Sequence, residues 1–242
     1  TISSYPFGEE FYSVDEKELH TLLFREIFQQ YSRSMMQKIL IHIMQTDLAT
    51  GVASPEALMQ FATKLIAQKQ IQEFDVVFFN IHNFKYVNKV FSYEQGDVIL
   101  RNYAVQVQGL LKEDEMVARL GGDNFAAIVR KEHQEEIVNK LLNVRLTHVT
   151  PIKEKEFIFG ATIGISGLEN VEVPREVMAR ASIAYQAARQ RGTGSVVFFS
   201  PEIQRSLMET QAIISNFIPA LEAEEFVVYY QPKVDILQKK CC

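Results

Sequence analysis

The chain has 242 residues, of which 47% are hydrophobic and 23% charged, so it is long enough to bury a substantial core. Its formal net charge is −5 and it has no long basic run, which argues against a surface that binds nucleic acid. The cysteines, Cys241 and Cys242, are adjacent and terminal, so we expect an intracellular protein without structural disulfides. Because the chain starts at Thr1 rather than Met, we expect a piece of a longer protein.

The first half of the chain predicts helices and one buried strand. Apolar residues three and four apart predict a helix over residues 16–45, typical of a core helix or a coiled coil. A second helix is predicted to begin with Ser54 as N-cap and Pro55 as its first residue. The apolar run FDVVFFNIH, residues 74–82, predicts a buried strand, and DVILRNYAVQVQGLL predicts another helix.

The second half predicts strands that alternate with helices. MVARL and FAAIVR predict two strands flanking a Gly-Gly pair, which supplies the positive φ that a tight hairpin needs. KEHQEEIVNKLLNV predicts a helix, EFIFGATIGISGL one strand, and PREVMARASIAYQAARQRG a helix closed by Gly192. SVVFFS predicts a strand and residues 201–223 a last helix. The predicted fold is therefore α/β, with a mixed central sheet covered by helices.

Three segments carry a family resemblance. NIHNFKYVNKVFSYEQGDVIL, which starts at Asn80, is similar to the pattern D-I-D-x-F-K-x-I-N-D-x-x-G-H-x-x-G-D-x-x-L, and TDLATGV is similar to D-x-L-T-G-L. Together with the stretch ARLGGDNF, they resemble the GGDEF domain of bacterial diguanylate cyclases, which make cyclic di-GMP from two GTP molecules. The resemblance implies the nucleotidyl cyclase-like version of the α/β fold.

The resemblance also suggests how the chain is divided. Residues 1–45 are expected to form a linker helix, residues 46–200 the GGDEF-like domain, and residues 201–224 a second linker helix. Residues 225–242 are similar to the opening of an EAL domain, the family that hydrolyses cyclic di-GMP. The parent chain is then expected to be a cyclic di-GMP phosphodiesterase.

Asn80, His82 and Asn124 depart from the acids that the resemblance implies. In the family, two Mg²⁺ ions over the GTP phosphates are held by acids at positions that here are Asn80, Asp123 and Asn124, and by the Ile81 carbonyl. Asn80 and Asn124 are neutral amides, and His82 replaces a further acid, so Asp123 is expected to be a weak metal ligand. We therefore expect a degenerate signature over Gly121, Gly122, Asp123, Asn124 and Phe125.

Other positions suit a nucleotide. Asn88 and Asp97 match the family's guanine-reading pair, because an amide donates to guanine O6 and a carboxylate accepts from N1–H and N2–H₂. Taken alone, Asn88 is better explained as a helix-surface residue and Asp97 as an N-cap, and it is the family match that suggests a nucleotide role for them. Lys85 and Arg189 match phosphate-binding positions, although Lys85 is equally well explained as a solvated lysine, and Thr193 replaces an arginine.

The family's inhibitory motif R-x-x-D is also changed. It reads KEDE over Lys112–Glu115, and lysine lacks the fork with which arginine binds phosphate or guanine. We therefore expect no tight cyclic di-GMP binding at this position.

Three functions remain open at this point. The first is a GTP-binding regulatory module, with weakened Mg²⁺ binding, that controls a downstream EAL domain in the same parent chain. The second is a weakly active diguanylate cyclase, and the third is a ligand-free spacer that forms a homodimer. We expect a cytoplasmic domain that contacts no nucleic acid and does not itself span a membrane, although the parent protein could be anchored upstream.

Overall fold

The computed structural model of the protein describes residues 14–82, 84–90, 92–149, 154–229, 234–235 and 240–241. Within them the helices are α1 (Val14–Gln45), α2 (Pro55–Ala67), α3 (Phe84–Val90), α4 (Tyr93–Gln108), α5 (Lys131–Leu141), α6 (Pro174–Arg191) and α7 (Pro201–Glu222). The strands are β1 (Phe74–Ile81), β2 (Met116–Gly121), β3 (Asn124–Arg130), β4 (Val144–Val149), β5 (Glu154–Phe159), β6 (Ala161–Gly167), β7 (Val196–Phe198), β8 (Val234–Asp235) and β9 (Lys240–Cys241).

A five-stranded sheet in the order β2-β3-β1-β6-β7 forms the centre of the fold. The β2–β3, β3–β1 and β1–β6 pairs are antiparallel, whereas β6 and β7 are parallel. The sheet is therefore mixed, as predicted. Strands β4 and β5 form a separate antiparallel pair, and so do β8 and β9.

Strand β1 is buried on both faces because helices cover each side of the sheet. Its odd-numbered side chains from Val77 to Ile81 join a core with residues of α3, α4 and α5. Its even-numbered side chains from Phe74 to Phe78 join a second core with α2 and α6. The nearly continuous apolar run in the sequence reflects this double burial.

The terminal helices are much more exposed than this core. Every described side chain of α1 from Glu18 to Gln45 is exposed, including large apolar ones such as Phe24 and Phe28. Helix α7 packs its first turns on α6 through Ile203 and Leu207, and its later apolar residues are exposed. No helix in the described part of the chain is both long enough and apolar enough to cross a bilayer.

Several local predictions are confirmed. Ser54 caps α2, since its hydroxyl accepts from the Ala57 amide, and Pro55 is the first residue of the helix. Gly192 ends α6 with a φ of 110°. The hairpin turn also uses positive φ at Gly121 and Gly122, although its two central residues are Gly122 and Asp123 because Gly121 pairs with Asn124.

Other predictions are wrong. EFIFGATIGISGL is not one strand, because the chain leaves β5 at Gly160 and enters a different sheet as β6. The predicted helix KEHQEEIVNKLLNV stops at Leu141, and Val144 already begins β4. Asp97 is not an N-cap, since α4 starts one turn earlier with Ser92 as its cap. Of residues 225–242, the predicted start of an EAL domain, residues 230–233, 236–239 and 242 lie outside the described residues.

Asp75 gives the fold a specific pH dependence. Burial raises the pKa of this carboxyl at the start of β1 from 3.8 to about 6, with Lys131 opposing the rise and Glu169 adding to it. The fold therefore favours the protonated form, whose stabilisation is complete below pH 3.8 and is lost as the pH rises through about 6. Asp75→Asn should raise the free energy of unfolding at neutral pH, by on the order of 2 kcal/mol.

Urea denaturation of both proteins across this pH range measures the effect. The difference in the free energy of unfolding between the parent chain and Asp75→Asn should shrink as the pH falls. The control Glu172→Gln changes an exposed acid and should show no such trend. A gap that does not vary with pH would contradict the assignment.

Candidate functional site

A row of three polar side chains crosses the sheet where β1 ends. The register pairs Asn80 of β1 with Asn124 of β3 on one side and with Thr162 of β6 on the other. Residues directly opposite each other in neighbouring strands point to the same face, which here is the face covered by α6. The row therefore lies beneath the C-terminal end of α6.

A cavity of about 610 Å³ opens above this row. It is lined by Asn80, Ile81, His82, Phe84, Tyr86, Lys89, Asp123, Asn124, Thr162, Tyr185, Arg189, Gly192 and Thr193. Its volume lies within the range of about 300–1,000 Å³ that is usual for small-molecule sites. Four parts of the fold meet here: the end of β1 with α3, the β2–β3 hairpin, β6, and the end of α6.

Asn80 and Asn124 bind each other. The Nδ2 group of Asn80 donates to Oδ1 of Asn124 at 3.1 Å and to the backbone carbonyl of Asp123 at 3.3 Å. The Nδ2 group of Asn124 donates to the carbonyl of Gly121 at 3.2 Å. Backbone carbonyls only accept, so these contacts fix the orientation of both amides.

His82 joins the end of β1 to the loop after α6. Its Nε2 accepts from the amide of Gly194 at 3.2 Å and lies 2.6 Å from Oγ1 of Thr162. Burial lowers the pKa of His82, which favours the neutral ring. An Nε2 that accepts from a backbone N–H is unprotonated, so the hydrogen bond to Gly194 requires the same neutral state.

Arg119 holds the hairpin against the turn that follows α1. Its Nη1 lies 3.2 Å from Oδ1 of Asp47, and its Nε donates to the carbonyl of Gly122 at 2.9 Å. The same Oδ1 accepts from the amide and hydroxyl of Thr50. Burial alone would raise the pKa of Asp47, but the Thr50 hydrogen bonds and Arg119 outweigh it and lower the pKa.

Gly164 lets α6 approach the sheet closely. A Cβ at this position would lie 2.1 Å from the backbone nitrogen of Tyr185, so no side chain fits without displacing the helix. The Tyr185 ring stacks on Phe78 with centroids 4.6 Å apart. Burial raises the pKa of Tyr185, Arg189 lowers it, and Asp123 raises it, which places this phenol within electrostatic range of both charges. The close contact thus positions the end of α6 over the polar row.

The structure brings most of the predicted metal and phosphate positions together. Asn80, Ile81, Asp123, Asn124 and Arg189 all line the cavity, as does the Thr193 position. Of the remaining signature residues, Gly121 and Gly122 are exposed in the hairpin, and Phe125 is fully buried against Phe79 in the core.

The predicted guanine-reading residues lie on α3 and α4. Asp97 is exposed in the second turn of α4 and is not among the cavity-lining residues. Lys85 and Asn88 lie on α3, but their side chains fall outside the described part of the structure. Their roles therefore stay predictions.

Sequence analysis missed four polar lining residues. These are Tyr86, Lys89, Thr162 and Tyr185. Lys89 lies four residues after Lys85, one helical turn along, and this spacing was the available signal. Thr162 and Tyr185 could not be found in this way, because only the β1–β6 register and the packing of α6 bring them to the site.

A family model described as "Diguanylate cyclase, GGDEF domain" matches residues 44–195. The chain belongs to the GGDEF domain family.

Named relatives show how much of a longer protein this GGDEF chain covers. It is 27% identical over 202 residues to cyclic di-GMP phosphodiesterase PdeR of Escherichia coli K12, covering 82% of this chain and 30% of that protein. It is 26% identical over 207 residues to the bifunctional diguanylate cyclase/cyclic di-GMP phosphodiesterase MucR of Pseudomonas aeruginosa, covering 84% and 30%. The chain thus spans about 30% of the length of each relative.

Solved GGDEF structures share its fold. The GGDEF domain of TpbB (YfiN) from Pseudomonas aeruginosa is 22% identical, with a TM-score of 0.57 over 67% of this chain and 99% of that one. The coiled coil and GGDEF domain of DgcB from Caulobacter crescentus is 18% identical, with a TM-score of 0.58 over 77% and 100%.

The described donors of this GGDEF cavity do not fit the Mg²⁺ ions that the family resemblance implies. Mg²⁺ prefers a near-octahedral set of oxygens that includes carboxylates. Among the residues described as lining the cavity, Asp123 is the only one with a carboxylate side chain. Two other oxygens, Oδ1 of Asn124 and the Asp123 carbonyl, already accept hydrogen bonds from Asn80. Nowhere in the described residues do three or more His, Cys, Asp or Glu side chains form a group that could hold a metal ion.

In the KEDE segment of this GGDEF domain, the side chains of Lys112 and Glu115 bind other residues of the domain. The Glu115 side chain is fully buried and accepts from the amides of Lys112 at 2.8 Å and Arg130 at 2.9 Å. Nδ1 of His133 donates to it at 2.8 Å. Lys112 itself pairs with Glu132. Glu115 therefore fastens the start of β2 to the start of α5.

Replacing Glu115 should lower stability. Glu115→Gln keeps the shape of the side chain but substitutes an NH₂ donor for one acceptor oxygen, so it should lower the free energy of unfolding by about 1–3 kcal/mol. Chemical denaturation measures this loss. Glu113→Gln, at an exposed position in the same turn, is the control and should be nearly neutral. Equal stability of the two variants would contradict the structural role of Glu115.

Proposed function

We propose that this GGDEF domain does not make cyclic di-GMP and instead binds GTP as a regulatory module for an EAL phosphodiesterase domain in the same parent chain. The observation that carries the proposal is the closed amide pair of Asn80 and Asn124 within a cavity that is otherwise formed. Catalytic positions have changed there, while the space and the cationic Arg189 are retained.

The loss of catalysis follows from the chemistry of phosphoryl transfer. That reaction depends on groups that neutralise developing charge and place the attacking hydroxyl. Amides at positions 80 and 124 remove two negative charges where the family resemblance implies metal ligands. Asp123 alone is a weak basis for catalysis, so this chain is proposed to be inactive as a cyclase.

Nucleotide recognition rests on different residues, so a domain that has lost catalysis can still bind a nucleotide. Arg189 lines the cavity, and a guanidinium group binds phosphate oxygens through two parallel hydrogen bonds. Asp97 is exposed on α4, which packs against α3, the helix that carries Asn88. A guanine that extends from the cavity toward these helices would meet the pair proposed to read it.

The link to a phosphodiesterase is drawn from the relatives. PdeR is named as a cyclic di-GMP phosphodiesterase and MucR as a bifunctional enzyme, and both are much longer than this chain. Helix α7, which leaves the sheet after β7, is proposed to connect the GGDEF domain to the EAL domain.

Two measurements on this chain test the proposal. Chromatography of reactions with GTP and Mg²⁺ should show no cyclic di-GMP. Calorimetry should show GTP binding about tenfold or more tightly than ATP, because a carboxylate that pairs with guanine contributes roughly 1.5–3 kcal/mol. Asp97→Ala should abolish this preference, whereas Glu94→Ala, at an exposed acid one turn earlier, should retain it.

Two results would contradict the proposal. Steady product formation that disappears in Asp123→Ala would show an active cyclase. Equal affinity for GTP and ATP would remove guanine recognition.

In the full-length protein, GTP should also change the rate of cyclic di-GMP hydrolysis.

A further inference from the structure

The charge of the cavity is unusual for a site that is expected to hold metal ions. Among the described lining residues, Lys89 and Arg189 are cationic and Asp123 is anionic. His82 adds no charge at neutral pH, because burial lowers its pKa and its Nε2 accepts from Gly194. The described lining therefore carries a net positive charge, which attracts an anion and repels a free divalent cation.

The sequence pattern shows how many positions have changed. The pattern D-I-D-x-F-K-x-I-N-D, together with the signature, places acids at positions 80, 82, 89, 123 and 124, all of which line the cavity. Here position 123 keeps its acid, and three others carry the neutral side chains of Asn80, His82 and Asn124. Position 89 is reversed to lysine.

The neutral side chains are held in place by their own hydrogen bonds. Asn80 directs its NH₂ group toward Asn124 and the Asp123 carbonyl, so the hydrogens of an amide lie between the oxygens that a cation would need. A cation bound to these two oxygens would have to displace the amide of Asn80. A phosphate group needs no such rearrangement, because the guanidinium of Arg189 and the ammonium of Lys89 supply donors of the required charge.

We propose that the cavity binds the phosphates of a nucleoside triphosphate directly through Arg189 and Lys89, without a divalent cation. This inference rests on the proposed nucleotide-binding function and specifies how the phosphates are neutralised. Mg²⁺ chelated by the nucleotide reduces the charge that the two cations recognise. The metal should therefore leave affinity unchanged or weaken it.

Calorimetry with GTP in EDTA and in excess MgCl₂ tests the inference. The dissociation constant in EDTA should equal the value in MgCl₂ or be lower. Arg189→Ala and Lys89→Ala should each weaken binding by about tenfold in EDTA, as expected for loss of one charge-assisted contact. Arg191→Ala, which removes an exposed cation two residues farther along α6, should bind as the parent chain does.

A double variant sharpens the test. Asn80→Asp with Asn124→Glu restores two carboxylates, so its GTP binding should become dependent on Mg²⁺. Circular dichroism melts establish that each variant is folded. If Arg189→Ala does not fold, Arg189→Lys replaces it in the test. This variant keeps the positive charge but loses the guanidinium fork, so it should bind GTP with intermediate affinity.

Inorganic tripolyphosphate separates this inference from the proposed function. It carries the phosphates without base or ribose, so its binding in EDTA and its loss in Arg189→Ala support the inference even where GTP and ATP bind equally. GTP binding that is weaker in EDTA than in MgCl₂ would overturn the inference and leave the proposed function intact. No binding of GTP or tripolyphosphate in either buffer would overturn both.

Discussion

The register of β1 against its two neighbours is the constraint on which the site depends. Strand β1 is the middle strand of the sheet, and its pairing sets Asn80 in one row with Asn124 and Thr162. Because side chains alternate between faces, a slip of one residue would move Asn80 to the opposite face. Buried apolar side chains on both faces of β1, and the close approach of α6 at Gly164, oppose such a slip.

Polar positions that the family pattern gives to ligands serve internal contacts here. Asn80 binds Asn124, His82 binds Gly194, and Glu115 accepts from two backbone amides and His133. Five carboxylates in one cavity would repel each other strongly unless cations lay between them. The two amides and the neutral imidazole do not repel one another in this way, because Asn80 and Asn124 bind each other and His82 binds Gly194.

The sequence predicted the fold well where one local signal dominated. Long apolar runs identified β1, and Ser54-Pro55 and Gly192 marked helix ends because capping depends on a few adjacent residues. The break at Gly160 was missed, since apolar residues continue across it and only tertiary pairing separates β5 from β6. Thr162 and Tyr185 were missed for a related reason. Their place in the site depends on which elements are neighbours in space, and periodicity carries no such information.

The signature hairpin lies between the end of α1 and the cavity. Ser54 donates to the carbonyl of Met44 near the end of α1, and the turn after that helix is fixed to the hairpin by Asp47 and Arg119. On the other side of the hairpin, Asp123 lines the cavity. Under the proposed function, a ligand that moved the hairpin would also move the Asp47 turn, because Arg119 joins the two. The same contacts would carry an effect of α1 back to the cavity. Under the proposed function, the hairpin is therefore the element through which the nucleotide and α1 act on each other.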